Sequence, residues 1–241
     1  MTTDLLIVAA GMGSRLKAKG NLKPLVSLAG VPLIERAIET ALSAGITQVT
    51  VVTGYQHRVL EEFLCQLSNR KGWTIRTIFN PDFMYANGLS VLKAAPLLND
   101  RFCLTMCDHL VEPSLYQRLL AQPLGPHEVA LGIDRRLANP FVDLNDVTKV
   151  RLAGRNIRDI GKDIAMYNAF DTGVFHANAS LFDAIARSLN DSGDCSISGG
   201  MKLLAAEGKA IGVDIGDSQW IDVDCPEMHE LASNWLATNA L

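Results

Sequence analysis

Short apolar runs and segments with helical spacing of apolar residues alternate along most of the chain. The run DLLIVAA at 4–10 has the length of a buried strand, whereas apolar residues recur on one helical face over 32–44. Similar patterns predict strands at 48–53, 73–79, 101–107, 127–134, 167–176 and 209–215, and helices at 57–67, 113–122, 181–189, 199–206, after the loop 81–90 and after residue 226. Strands that alternate with helices usually pair in parallel and bind ligands at their carboxyl ends. The pattern therefore predicts an α/β protein with a mostly parallel sheet.

The alternation weakens between 135 and 176. A polar connection over 135–146 leads to two short runs, 148–152 and 156–160, which a turn at 153–155 joins into a predicted hairpin. No linker composition marks either edge of this region. We therefore expect a single domain over 1–241, with approximately 135–176 as an antiparallel excursion that builds a second binding pocket above the sheet.

A glycine loop, Gly11-Met12-Gly13-Ser14-Arg15-Leu16, follows the first predicted strand. Glycines let backbone N–H groups come close to an anion, and Arg15 and Lys23 add permanent positive charge. A dinucleotide fingerprint would need a third glycine at Leu16, and a Walker loop would need Gly-Lys before Ser or Thr. A plain glycine turn between strand and helix is the alternative without function. We interpret the segment as a loop that holds a triphosphate.

Three aspartates stand where a metal ion would meet that triphosphate. Asp108 follows the predicted strand 101–107, and Asp222 and Asp224 alternate along an extended segment, so that they face the same side. Hard oxygen ligands of this kind suit Mg²⁺. Helix capping is the alternative for Asp108, before the helix near 113, and for Asp224, before the helix near 226.

The polar-aromatic loop 81–90 offers groups for a nucleobase. We expect Asn87, Gly88 and Ser90 to bring hydrogen-bonding groups to the base, because backbone and amide groups can distinguish cytosine from uracil. The alternative is an Asn-Gly turn followed by a serine cap.

Composition and charge narrow the class of protein. Of the 241 residues, 48% are apolar and 20% charged, as in an ordinary globular domain. The net charge of −4 argues against a broad nucleic-acid-binding face. Neither a leader peptide nor an apolar stretch of about 18 residues is present, so we expect a cytoplasmic protein without a membrane segment. The five cysteines lack CxxC spacing and are expected to be reduced thiols.

The motifs together resemble a known family. The segment 9–16 with Lys23-Pro24-Leu25 resembles the signature of the sugar nucleotidyltransferase superfamily. The segments 84–90, 107–109, 132–135, 146–150, 160–163, 170–175 and 220–224 resemble, in the same order, inositol-1-phosphate cytidylyltransferases. Phosphocholine and aminoalkylphosphonate cytidylyltransferases are similar relatives. Cys107 departs from the family, which more often has glycine there. Many family members are fused to a membrane-embedded phosphotransferase, and we expect this chain to be a stand-alone form.

The resemblance implies a fold and a reaction. The fold is a GT-A-like, Rossmann-like three-layer α/β sandwich with a mostly parallel central sheet and an antiparallel insertion on the acceptor side. The reaction is Mg²⁺-dependent transfer of CMP from CTP to inositol 1-phosphate, giving CDP-inositol and pyrophosphate. The alternative acceptors are phosphocholine, an aminoalkylphosphonate or another sugar phosphate.

Each site residue then receives an expected role. Arg15 and Lys23 act on the triphosphate and the developing charge, and Asp108 with Asp222 or Asp224 holds Mg²⁺. Lys149 and Lys162 are expected at the acceptor phosphate, unless they are exposed hairpin lysines, and Asp134 and Asp171 at acceptor hydroxyls. Nucleotide contacts are expected from Ala9, Ala10, Gly11, Met12, Gly13, Ser14, Asn87, Gly88 and Ser90.

Two other classes compete with this interpretation. A non-catalytic nucleotide-sensing subunit on the same fold would have a degraded metal site, but all three aspartates are present. A Rossmann dehydrogenase is disfavoured by Leu16 and by Thr53-Gly54, which replace a glycine and an acidic residue. The acceptor, the preferred nucleotide and the oligomeric state, including a homodimer, stay open.

Overall fold

The computed structural model describes residues 3–238, in which thirteen strands and seven α-helices are defined. The strands are β1 (Asp4–Val8), β2 (Ser27–Leu28), β3 (Val31–Pro32), β4 (Gln48–Thr53), β5 (Ile75–Phe79), β6 (Arg101–Met106), β7 (His109–Val111), β8 (Val129–Asp134), β9 (Lys149–Ala153), β10 (Asn156–Gly161), β11 (Ala169–Asn178), β12 (Ala210–Asp214) and β13 (Trp220–Asp222). The helices are α1 (Leu33–Ser43), α2 (His57–Lys71), α3 (Gly88–Ala94), α4 (Pro113–Ala121), α5 (Ala179–Ser192), α6 (Ile197–Ala206) and α7 (Pro226–Thr238).

One nine-stranded sheet runs through the molecule in the order β5-β4-β1-β6-β11-β8-β12-β10-β9. The first four of these strands pair in parallel, as do β8 and β12, which confirms the predicted parallel pairing for most of the sheet. Strand β11 runs antiparallel to both of its neighbours, β6 and β8. The start of β11 therefore lies at the same edge of the sheet as the carboxyl ends of the parallel strands.

Helices cover both faces of the sheet, because the buried strands are apolar on both sides. Along β1, Leu5 and Ile7 point to the layer that holds α1, α2 and α4, whereas Leu6 and Val8 point to the layer that holds α3, α5 and α6. Side chains that alternate in this way leave no polar face, as in central strands of parallel sheets. The three-layer α/β sandwich is thus the observed fold.

The predicted antiparallel excursion continues the main sheet. Strands β9 and β10 form the predicted hairpin, which adds to the sheet edge beside β12, and β9 also pairs with β11 through Val150 and Lys149. The hairpin therefore brings its residues to the same sheet that carries the glycine loop.

Two short ribbons were not predicted. β2 pairs with β3, and β7 pairs with β13 in antiparallel register, with Asp222 opposite His109. The second ribbon joins segments more than a hundred residues apart and packs against α7 through Ile221 and Trp235. It holds the Asp222 segment beside the end of β6.

The cysteines agree with their expected state, and the helices differ from membrane-spanning ones. All five cysteines are free thiols, and Cys103, Cys107 and Cys195 are buried. None of the helices among residues 3–238 combines the length and the apolarity needed to cross a bilayer.

Candidate active site

A cavity of about 370 Å³ opens at the carboxyl edge of the parallel strands. Its walls come from the glycine loop, the ends of β6 and β13, the start of β11 and the connection between β8 and β9. A volume of this size is typical of small-molecule sites. Eleven of the residues singled out in the sequence line it: Ala9, Gly11, Gly13, Arg15, Lys23, Asn87, Asp108, Lys162, Asp171, Asp222 and Asp224.

The glycine loop wraps closely around Lys23. Gly13 has a φ of 58°, and a Cβ atom at this position would overlap the side chain of Lys23. Only glycine combines this left-handed backbone with that close approach. Beyond it, a single turn over Ser14–Leu16 buries Leu16 completely in the cluster beside α7. The loop is thereby anchored at one end while its glycines line the cavity.

Lys23 and Asp108 form an ion pair inside the cavity. Their side chains are 13% and 12% exposed, and Asp108 also contacts His109 Nδ1 through Oδ1 at 3.0 Å. Burial on its own would raise the pKa of Asp108, but Lys23 and His109 hold it well below its usual range. Burial acts to lower the pKa of His109. The neighbouring carboxylates outweigh this effect and raise the pKa to about 9; they belong to Asp222, Asp108 and Asp171. Asp108 is therefore ionised, between two positively charged neighbours.

Asp222 has an unsatisfied oxygen. Its Oδ1 is buried and has no hydrogen-bond partner among the described residues, and burial followed by repulsion from Asp108 raises the pKa of the carboxyl. Asp222 belongs to two groups whose ligand atoms lie within 4.8 Å of one another, one with Asp108 and His109 and one with Asp146 and Asp224. A buried carboxylate oxygen without a partner, beside other acids, fits a divalent cation.

Asp146, for which no role was expected from the sequence, links two basic side chains. Arg15 donates to its Oδ2 at 3.1 Å, and Lys162 donates to its Oδ1 at 2.5 Å. Arg15 also pairs with Asp224. The one signal in the sequence was that Asp146 opens the segment 146–150, which resembles the family. Its contacts join residues 131 and 16 positions apart, which periodicity does not reveal.

Asp171 reaches the cavity because β11 begins at this edge. Its Oδ1 accepts a hydrogen bond from the backbone N–H of Gly173 at 2.7 Å. Burial raises the pKa of Asp171 to about 6, although this N–H and His109 act against the shift. Gly173 has a φ of 70°, and a Cβ there would overlap the His109 ring, so this glycine leaves room for the imidazole.

Asp134 does not line the cavity, contrary to its expected role at acceptor hydroxyls. It pairs with Phe170 across β11, whereas the next pair, Asp171 with Ile133, faces the opposite side of the sheet. Its completely buried carboxylate accepts hydrogen bonds from Arg136, Asn139 and Trp220 at 2.8 to 3.1 Å. Asp134 therefore links the end of β8 to β13 and supports the fold outside the cavity lining.

Lys149 is also absent from the cavity wall. Its Nζ donates to the carbonyl oxygen of Lys162 at 2.9 Å and lies 5.6 Å from the centre of the Tyr167 ring. Of the two lysines proposed for the acceptor phosphate, the structure brings only Lys162 to the cavity.

Five expected nucleotide contacts also lie outside the lining. Ser90 is buried and accepts a hydrogen bond from Asn80 at 3.0 Å. This bond connects the two ends of the loop 81–90. Asn87 does line the cavity, and its Oδ1 accepts from the backbone N–H of Ile197. The other expected nucleotide contacts that do not line the cavity are Ala10, Met12, Ser14 and Gly88.

Comparison with known proteins gives a family and a fold. A family model described as the MobA-like NTP transferase domain matches residues 5–208. The structure described as the inositol-1-phosphate CTP transferase from T. maritima is similar, with a TM-score of 0.83, 23% identity and coverage of 98% of this chain and 96% of that one. A UDP-glucose pyrophosphorylase complexed with UDP-glucose gives a TM-score of 0.81 at 20% identity, with coverage of 99% and 100%.

Curated relatives share the sequence over most of its length. A protein of Rubrobacter xylanophilus named bifunctional IPC transferase and DIPP synthase is 29% identical over 246 residues, which cover 96% of this chain and 52% of that protein. The CMP-5′-(3-aminopropyl)phosphonate synthase of Streptomyces rubellomurinus is 28% identical over 242 residues, which cover 92% of this chain and 37% of that protein. The chain thus spans about half the length of the bifunctional relatives that it matches.

Proposed function

The chain belongs to the MobA-like NTP transferase family, and from this premise we propose that it transfers CMP from CTP to inositol 1-phosphate, forming CDP-inositol and releasing pyrophosphate. It is a nucleotidyltransferase by family. The observation that carries the proposal is the cavity, in which two basic side chains beside a glycine loop face a set of carboxylates.

The nucleotide side of the cavity suits a triphosphate. The glycine loop offers backbone N–H groups, and Arg15 and Lys23 supply the positive charge that a polyphosphate needs. Asn87 stands at the same cavity and offers its amide to the base. This arrangement supports a nucleotide whose phosphates lie along the glycine loop.

Nucleotidyltransferases of this family typically use a divalent metal, and the carboxylates of the cavity fit one. We assign Mg²⁺ to Asp222, which has a buried oxygen without a partner among residues 3–238, together with Asp108 or Asp224, each of which shares a group of close ligand atoms with it. When bound there, the ion supplies neutralising charge for the α-phosphate and the departing pyrophosphate.

The chemistry requires no general base. The phosphate of the acceptor is already ionised near neutral pH, so one of its oxygens attacks the α-phosphorus of CTP directly. The bond between the α-phosphorus and the bridging oxygen breaks, and pyrophosphate leaves with that electron pair. The protein positions two anions in line and offsets their charge, which is the main contribution of enzymes to phosphoryl transfer. We assign Arg15 and Lys23 to the nucleotide and Lys162 to the acceptor phosphate.

The acceptor side supports a polyhydroxyl substrate. Its wall includes Thr148 and Asp171, which offer oxygen atoms to hydroxyl groups. The solved relative is described as an inositol-1-phosphate CTP transferase, in agreement with this substrate pair. A second candidate is an aminoalkylphosphonate, because a 28% identical relative is named for such a product and because Asp171 would equally accept from an ammonium group.

Pyrophosphate release tests the proposal. The purified protein is incubated with CTP and Mg²⁺ and with inositol 1-phosphate, phosphocholine or 2-aminoethylphosphonate. We expect the highest kcat/KM with inositol 1-phosphate and no release after Mg²⁺ is removed with EDTA. A preference for 2-aminoethylphosphonate would select the second candidate, and release with none of the three would refute both.

Arg15→Ala shows whether the activity resides in this cavity. Loss of a cation that meets the developing charge is expected to lower kcat/KM by about 100-fold or more. Lys17→Ala removes an exposed charge two residues away and should leave turnover unchanged. Equal activity of both variants would remove Arg15 from the mechanism.

A further inference from the structure

Asp146 contacts the cations of both proposed phosphate sites. It lies in the connection between β8 and β9, where its backbone N–H donates to the carbonyl oxygen of Asp143 at 3.1 Å. From there one carboxylate oxygen accepts from Arg15 and the other from Lys162. Burial would raise the pKa of Asp146, but hydrogen bonds from Lys162 and Arg15 lower it to about 2. The side chain is therefore an anion at any pH at which the enzyme would be assayed.

These ion pairs are easier to exchange than the pair of Lys23 with Asp108. The side chains of Arg15 and Lys162 are 56% and 53% exposed, whereas those of Lys23 and Asp108 are nearly buried. Solvent screens exposed ion pairs, so each contributes little to stability. A phosphate that arrives at Lys162 has only this weak contact to replace, and one that arrives at Arg15 also replaces the contact with Asp224.

We propose that Asp146 is an internal competitor for the substrate phosphates: it binds the same cations that would receive the nucleotide on the Arg15 side and the acceptor on the Lys162 side. This inference rests on the proposed function, because that function assigns the two cations to two substrates. Asp146 thereby weakens the binding of each phosphate. Because one carboxylate contacts both cations, a change at Asp146 affects both phosphate sites.

A divalent cation shifts this competition. Ligand oxygens of Asp146, Asp222 and Asp224 lie within 4.8 Å of one another, so a cation among them attracts Asp146 away from Arg15 and Lys162, and Asp224 away from Arg15. Arg15 and Lys162 then become available together. We therefore expect that the competition by Asp146 is strongest without a divalent cation and weaker with one.

Calorimetric titration of the whole chain measures this effect. CTP and, separately, inositol 1-phosphate are titrated into wild type and Asp146→Asn, each in EDTA and in excess Mg²⁺. In EDTA, Asp146→Asn is expected to bind each ligand about threefold to fivefold more tightly, the range that corresponds to one exposed ion pair. With Mg²⁺ the difference should shrink.

Asp143→Asn is the matched control. Asp143 lines the same cavity, and no ion pair is found for it in the described part of the chain, so the variant removes the same charge without releasing Arg15 or Lys162. We expect its affinities in EDTA to stay within about twofold of wild type. Asp146→Ser gives a second variant without an amide, and thermal unfolding shows that each variant is folded.

Two results would overturn the inference. One is an affinity of Asp146→Asn in EDTA that equals that of wild type or of Asp143→Asn. The other is a difference confined to excess Mg²⁺, where Asp146→Asn binds more weakly than wild type, which would make Asp146 a metal ligand only. The pyrophosphate assay on wild type decides the proposed function separately, because it does not depend on any difference between these variants.

Discussion

Burial separates side chains of the same charge into different roles. Lys23, which is 13% exposed, is fixed against Asp108, whereas Arg15, which is 56% exposed, is free to exchange its partners with solvent and ligands. Asp134 and Asp171 differ in the same way. Asp134 is completely buried with its carboxylate satisfied, and Asp171 lies at the cavity with an elevated pKa. The surroundings of each side chain, more than its residue type, decide whether it supports the fold or contacts a substrate.

Asp134→Asn should therefore reduce stability. The asparagine amide has the shape of the carboxylate but not its charge. The hydrogen bonds from Arg136, Asn139 and Trp220 therefore weaken, and we expect the free energy of unfolding to fall by about 2 kcal/mol at pH 7. Burial acts to raise the pKa of Asp134, but these hydrogen bonds lower it overall. Because the folded-state pKa is lowered, the ionised form stabilises the protein above the unfolded value of about 3.9, and this contribution disappears as the pH falls below it.

Urea unfolding at pH 7 and at stepwise lower pH checks this prediction. The stability gap between wild type and Asp134→Asn should narrow below about pH 4. Asp163→Asn, at an exposed position, should change stability by no more than about 0.5 kcal/mol. A gap that stays constant with pH would mean that the charge of Asp134 contributes nothing.

At the scale of elements, periodicity predicted most of the sheet and of the helical layers. The strand at 48–53 has the predicted bounds, and the hairpin of β9 and β10 lies where the Ala153-Gly154-Arg155 turn placed it. The position of β11 between β6 and β8 was not predictable in this way, because its apolar run is the same wherever the strand pairs in the sheet. The ribbon of β7 and β13 was missed because each of its strands has only three residues, too few to show a period.

The glycine loop is an element whose sequence and geometry agree closely. Gly13→Ala is expected to lower kcat/KM by at least about tenfold, because the new methyl group meets Lys23 and displaces it from the phosphate site. Pyrophosphate release under the conditions above measures this change.

Gly154→Ala separates the overlap from backbone strain. Gly154 also has a positive φ, of 61°, but a Cβ there meets no atom within 4 Å. This variant should lose about 1 kcal/mol of stability and keep its activity. If both variants keep full activity, the close contact of Gly13 with Lys23 has no functional role.

At the scale of the whole molecule, the site joins segments that are remote in sequence. Arg15 pairs with Asp224, 209 residues away, and Asp222 lies opposite His109 across a two-stranded ribbon. The sequence did predict that Asp108, Asp222 and Asp224 would reach one cavity. Asp108 follows the end of a predicted strand, and Asp222 and Asp224 alternate along an extended segment, so that they face the same side. It did not predict Asp146 or the internal partners of the cations, since these depend on how the connection between β8 and β9 folds over the sheet.

Acidic residues that lie close together in the cavity lower the stability of the protein but favour the binding of a cation. Substitution of Asp222 tests both effects. Its buried carboxylate lies near Asp108 and Asp224, and one of its oxygens lacks a partner within the described chain. Asp222→Asn removes that repulsion, so we expect a melting temperature about 2–4 °C higher in the absence of ligands, which corresponds to about 1 kcal/mol in a protein of this size.

The same substitution should abolish the stabilisation by Mg²⁺ and CTP. For wild type, a ligand at one hundred times its Kd adds about 2.7 kcal/mol to the free energy of unfolding, and differential scanning fluorimetry detects this as a higher melting temperature. Asp222→Asn removes a carboxylate of the proposed ion site and should show little of this shift, while Asp217→Asn, at an exposed position of the neighbouring loop, should retain it. A variant at Asp222 that melts lower than wild type and still responds fully to Mg²⁺ and CTP would show that this carboxylate supports the fold rather than the ion. A variant at Asp222 that melts higher than wild type and no longer responds to Mg²⁺ and CTP would mean that this carboxylate lowers stability and serves the ion. The acids that repel one another would then be the ones that bind a cation together.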